Sequence, residues 1–124
     1  MALPLALVFI LLGSVSGGGG STDLKIRVWP QGRPGPSKAW TLRCNPPAGT
    51  LSRSAKACGR LAAIAGPFAP VPRDAVCTQN YGGPQVALVS GTYRGARIWT
   101  LFQRRNGCEI ARWTRVAFLF PVRT

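Results

Sequence analysis

"TLRCNPPAGTLSRSAKACGRLAA", residues 41–63, decides how the chain folds. Its first four residues close a strand-like run, "AWTLRC" (39–44), which delivers Cys44, and "NPPAGT" (45–50) is a turn. A helix follows over Ser54–Ala65. Ser54 serves as its N-cap, alanine and leucine dominate it, and Gly66-Pro67 stops it. Cys58, Leu61, Ala62 and Ala65 then share a face that turns Cys58 toward the body, and a bridge back to Cys44 would pin helix to strand.

Ahead of this block, Leu24, Ile26 and Val28 alternate with Lys25, Arg27 and Trp29, the period-two pattern of a strand. "PQGRPGPSK" (30–38) is a proline- and glycine-broken loop. Beyond the helix, "GPFAPVPRD" (66–74) is a second such loop. "PQVALVSG" (84–91), "RGARIWTLFQR" (94–104) and "RWTRVAFLF" (112–120) read as three more strands, with a hairpin at "SGTYRG" (90–95). The expected fold is α+β, a five-stranded antiparallel sheet packed by one main helix. In 94–104, Ile98 and Phe102 share one face with Ala96 and Thr100, while Trp99 and Leu101 lie opposite with Arg97. Both faces are apolar. One meets the helix, and the other meets a second copy of the chain or lies under a long loop.

The 124 residues suggest one domain, at 23–124. Leu3–Leu12 is an apolar run of about ten residues, the length of a signal-peptide core and short of the roughly 20 that span a membrane. No lysine or arginine precedes it, yet Ser14 and Ser16 give a small-x-small cleavage pattern. Residues 1–16 are assigned as a signal peptide and 17–22 as a glycine-rich linker, which makes the mature protein secreted, extracellular and free of the membrane. Four cysteines, Cys44, Cys58, Cys77 and Cys108, in a small exported domain imply two disulfides, with three pairings open. Zinc is disfavoured, because there is no Cys-x-x-Cys pair and no histidine.

The missing histidine excludes Ser-His-Asp and Cys-His catalysis. Asp23, Asp74 and Glu109 are the only acids, so a carboxylate-pair glycosidase would have to use Asp74 and Glu109, which nothing in the sequence brings together except a nearness of Cys77 and Cys108. The chain reads as a non-enzyme with no cofactor and no metal. Its net charge of +13 suits weak binding to acidic surfaces or polyanions, or merely a solvated face.

"DAVCTQNYGG" (74–83) is neither helix nor half-buried strand: a cysteine leads into three uncharged polar residues, an aromatic and two glycines. With this segment in place the chain resembles the Streptomyces subtilisin inhibitor-like family of exported serine-protease inhibitors. The resemblance covers roughly residues 23–120. It rests on Cys44-x-Pro46, Gly49, Ala57-Cys58 and Leu61, and on Cys77, Tyr81, Pro84, "GTYRG" and Asn106-x-Cys108. It implies the pairings Cys44–Cys58 and Cys77–Cys108, and a homodimer formed through one sheet face. It also implies that Val76, Cys77, Thr78, Gln79, Asn80 and Tyr81 form a reactive-site loop. Gln79 would enter the specificity pocket of a subtilisin-like protease, Gln79–Asn80 would be the bond under attack, and Asn106 would support the loop from beneath.

The chain departs from that family's usual residues at several points. Thr78 replaces proline, Gln79 replaces methionine, lysine or arginine, and Thr50-Leu51 replaces His-Pro. Arg104 replaces phenylalanine, and Gly82-Gly83 adds a glycine. Two further readings follow: a scaffold that has lost inhibition and binds acidic partners through its arginines, and a substrate of a glutamine-directed transferase at Gln79.

Overall fold

The computed structural model describes residues 20–121. The signal-peptide assignment and residues 17–19 of the linker lie outside the described residues. Strand β1, Thr22–Trp29, runs down the middle of the sheet, and its side chains alternate between buried and exposed along its length. The sheet order is β2 (Lys38–Cys44), β1, β3 (Val86–Tyr93), β4 (Ala96–Phe102), with every neighbour antiparallel. Pairing one residue out of step would swap the two faces of β1, so burial of Leu24, Ile26 and Val28 fixes the register. β3 and β4 are joined through Arg94 (φ 48°) and Gly95 (φ 84°), both in the left-handed region that a two-residue hairpin turn requires.

Helix α1, Ser54–Ala63, packs Ala57 and Leu61 into the core. The Cys44–Cys58 disulfide ties it to the end of β2, with the two Cα atoms 5.8 Å apart. Details differ from the sequence expectation. The N-cap is Arg53 (φ 55°) rather than Ser54, with no side-chain capping bond, and the helix ends two residues short of Ala65. Its buried face centres on Ala57 and Leu61. Cys58 flanks that face, and Ala62 and Ala65 are exposed.

The larger correction concerns residues 107–120. The sheet has four strands, and the expected fifth, 112–120, is instead the end of helix α2 (Gly107–Arg115) and one turn of 3-10 helix, Ala117–Leu119. The buried residues explain why. Trp113, Val116, Leu119 and Phe120 are all inside, a spacing that one helical face satisfies and a two-residue alternation does not. Phe120 contacts both Trp113 and Phe102, with ring centroids 4.7 and 5.3 Å away. Among the described residues the fold is therefore α+β, with one antiparallel sheet, two α-helices and two disulfides.

On the outer sheet face, Thr41, Lys25, Ser90 and Trp99 form one cross-strand row, and Ala39, Arg27, Leu88 and Leu101 form the next. Trp99 is 65% exposed, so it does not lie beneath a loop.

Candidate functional site

The chain between α1 and β3 climbs from the core to an exposed tip. Phe68 is buried edge-on against Tyr93, their centroids 5.0 Å apart. From there, prolines at 70 and 72 keep the chain out of both helix and sheet ladder. A turn closes where the Ala75 N–H donates to the Pro72 carbonyl (3.1 Å). The chain then enters open solvent: Val76 is 99% exposed and Tyr81 69%, with Thr78, Gln79 and Asn80 exposed between them.

A tip this exposed keeps a defined shape because both of its ends are held. On the first side, Cys77 is bonded to Cys108 (Cα–Cα 5.3 Å) and the Thr78 carbonyl accepts the Gly107 N–H at 2.9 Å. Gly107 lets the two segments approach closely, since a Cβ there would run into the Thr78 hydroxyl and force it to turn away. On the second side, the Gly82 N–H donates to the Arg104 carbonyl at 2.6 Å, and Arg104 Nε returns a bond to the Gly82 carbonyl at 3.1 Å. A Cβ on Gly82 would come within 2.9 Å of two Ile110 carbons. Both clamps rest on the start of α2 and the residues just before it.

The first turn of α2 is fixed by its own sequence. The Asn106 Oδ1 accepts the Glu109 N–H (2.9 Å), a side-chain N-cap that settles where the helix begins. Glu109 in the first turn and Arg112 and Arg115 in the last oppose the helix dipole. Arg112 reaches inward. Only 7% exposed, it donates to the carbonyls of Ala69 (2.8 Å), Leu101 (2.7 Å) and Phe68 (3.3 Å) and to the Thr100 hydroxyl (2.6 Å). Its guanidinium lies 3.9 Å from the centre of the Phe102 ring. Burial pulls the Arg112 guanidinium below its ordinary range, and the Glu109 carboxylate opposes that shift. The loop approach, β4 and α2 are thus joined by one planar group with five donors.

The residues singled out in the sequence therefore occupy one end of the molecule. Val76–Tyr81 form the tip, Cys77 and Cys108 its covalent anchor, and Asn106 the cap of the helix beneath. Cys44 and Cys58 serve α1 and β2 instead. Sequence reasoning missed the holding roles of Gly82, Arg104, Gly107 and Arg112. One signal was readable: Asn106-x-x-Glu109 has the spacing of a helix start.

A family model, subtilisin inhibitor-like, matches residues 29–105. Subtilisin inhibitor-like protein 1 of Streptomyces cacaoi is 34% identical over 88 residues, which span 67% of this chain and 79% of that protein. The fold is similar to that of Streptomyces caespitosus sermetstatin in its crystal structure with Bacillus licheniformis subtilisin. The TM-score is 0.55 at 22% identity, over 83% of this chain and all of the other.

Proposed function

This chain belongs to the subtilisin inhibitor-like family, and on that premise we propose that it is a secreted inhibitor of subtilisin-like serine proteases, acting through residues 76–81 with Gln79–Asn80 as the reactive bond. The supporting observation is the bracketed tip. Three consecutive exposed residues, Gln79, Asn80 and Tyr81, lie between a disulfide-plus-carbonyl anchor at Cys77–Thr78 and a second anchor at Gly82.

Proteases take substrate as an extended strand, mainly through main-chain hydrogen bonds. A free peptide gives up about 1–2 kcal/mol of backbone entropy for each residue it fixes, and a pre-held loop has already lost much of it. Thr78 lacks the rigidity of a proline, but its carbonyl is tied to Gly107, which restores part of that restraint. Asn106 supports the loop by capping the helix that carries Gly107 and Cys108. Neutral Gln79 suits a broad subtilisin cleft and gains nothing from an acid at the base of a trypsin pocket, while fully exposed Val76 is free to fill an apolar subsite.

Mature protein should inhibit subtilisin at least 100-fold better than trypsin, and the slowly accumulating cut form should begin a new chain at Asn80. A second reading is favoured by a groove of about 360 Å³ lined by Arg53, Lys56, Arg60 and Phe118, with Arg60 stacked 4.5 Å from the Phe118 ring. There a polyanion would bind by releasing counterions, so its affinity would fall log-linearly with salt. Tight heparin binding at physiological salt, without subtilisin inhibition, would establish that reading over the first.

We also propose that the outer sheet face pairs two copies around Trp99. Sedimentation equilibrium should give a dimer that W99D converts to monomer. A wild-type monomer at tens of micromolar would refute it.

A further inference from the structure

We infer that Arg104 is a positioning residue that retains the Asn80 side of the loop once the reactive bond is opened, and so keeps the protein an inhibitor rather than a substrate. The inference rests on the inhibitory reading above. When a serine protease opens Gln79–Asn80, the Gln79 acyl group passes to the enzyme's serine and the Asn80 amine is released. Return attack by that amine on the acyl-enzyme carbonyl reforms the peptide bond and frees the serine. Attack by water in its place leaves a Gln79 carboxylate and a cut chain. The outcome depends on how long the amine stays within reach, which is a question of effective concentration.

The two stumps are held very unequally. The Gln79 side keeps its disulfide to Cys108 and the Thr78–Gly107 bond. The Asn80 side next joins the sheet at Val86, opposite Trp29. Among the described residues, Gly82 is the only one between Asn80 and β3 whose backbone is hydrogen-bonded to the body, and both of its bonds go to Arg104. One of these uses the Arg104 carbonyl and survives any substitution. The other comes from Nε and needs the side chain. That side chain is steadied in turn, with its guanidinium carbon 5.7 Å from the ring centre of buried Trp113 on α2. Ile110 closes over Gly82 from the same helix, so a Gly82 stump without the Nε bond still meets a wall and keeps the carbonyl bond but loses its fixed direction.

The test uses the whole protein and subtilisin. R104M keeps the side-chain stem and the backbone carbonyl and removes the guanidinium with its donors and charge, whereas R104K keeps a cation and a donor. R104M should melt within a few degrees of wild type and associate with subtilisin at a rate within about three-fold of it. Resynthesis of the bond from pre-cut protein should be at least ten-fold slower, and the cut form should accumulate at least ten-fold faster. R104K should recover most of both. R104M that reseals and is hydrolysed at wild-type rates overturns the inference alone. Wild-type protein that fails to inhibit, or that is opened at another bond, overturns the inhibitory reading and this inference with it.

Discussion

Replacing Gln79 by lysine should turn a protein with little affinity for trypsin into a trypsin inhibitor, with Ki falling several-hundred-fold or more. The gain arises inside the enzyme. A lysine that enters a pocket closed by a carboxylate forms a desolvated, charge-assisted contact, and truncating one partner of such a pair costs about 2–5 kcal/mol, or a factor of about 30 to several thousand. The frame should not change. Gln79 is exposed, and its neighbours are held through Cys77, the Thr78 carbonyl and Gly82, none of which involves its side chain. Melting temperature should therefore match wild type, and subtilisin inhibition should stay within about ten-fold, since a broad cleft discriminates weakly. A folded Q79K protein that trypsin ignores would show that residue 79 does not enter the specificity pocket.

That experiment depends on a loop whose position and disulfide anchor, but not whose hydrogen-bonded fastening, were legible in the sequence. Cys77 followed by uncharged residues and paired glycines marks an anchored, exposed segment, and the pairings implied by the resemblance are the ones present. The hydrogen-bonded part escaped notice because it is made mostly by the main chain. The Thr78 carbonyl meets the Gly107 N–H across 29 residues of sequence, and nothing in the side chain of either predicts it. Arg104 stood out only as a replacement for an aromatic residue. Its bond to Gly82 is a feature of the folded chain alone, where the Gly82 carbonyl lies 3.1 Å from Nε.

The four strands were readable because β1 alternates cleanly and the Arg94-Gly95 turn carries its own backbone requirement. Residues 112–120 misled for a physical reason. Threonine, valine and aromatics favour strands, and the segment is apolar on both faces of a two-residue repeat. The buried set spaced by three and four residues was also there, and the Asn106 cap fixed where the helix had to begin. Tertiary packing against Phe102 then decided the matter over local propensity.

Arg112 opens that misread segment, and it carries the second large expectation. R112M should lower unfolding stability by about 3 kcal/mol, since hydrogen bonds to a charged donor contribute about 1.5–3 kcal/mol each and the regained desolvation of the cation offsets only part of the loss. For a domain of this size the melting temperature should fall by roughly 12–20 °C, a large fraction of the margin typical for a domain. Methionine fills the space over Phe102 but leaves the carbonyls of Phe68, Ala69 and Leu101 without their donor. R112K separates charge from shape. An ammonium is a point donor and cannot span three carbonyls and a hydroxyl, so R112K should recover less than half of the loss. Burial also lowers a lysine's folded-state pKa, so its charged form is disfavoured by folding. Stability of R112K should accordingly rise with pH between the folded and unfolded pKa values of that lysine, while wild type, whose arginine stays protonated, shows no such rise from this position. Because Phe68 and Ala69 begin the path to Val76, R112M should also admit proteolytic cuts within residues 66–75, ahead of the reactive bond. Unfolding free energies of R112M and R112K, from urea titration, within about 1 kcal/mol of wild type would show that the four bonds do not hold the loop approach to the body.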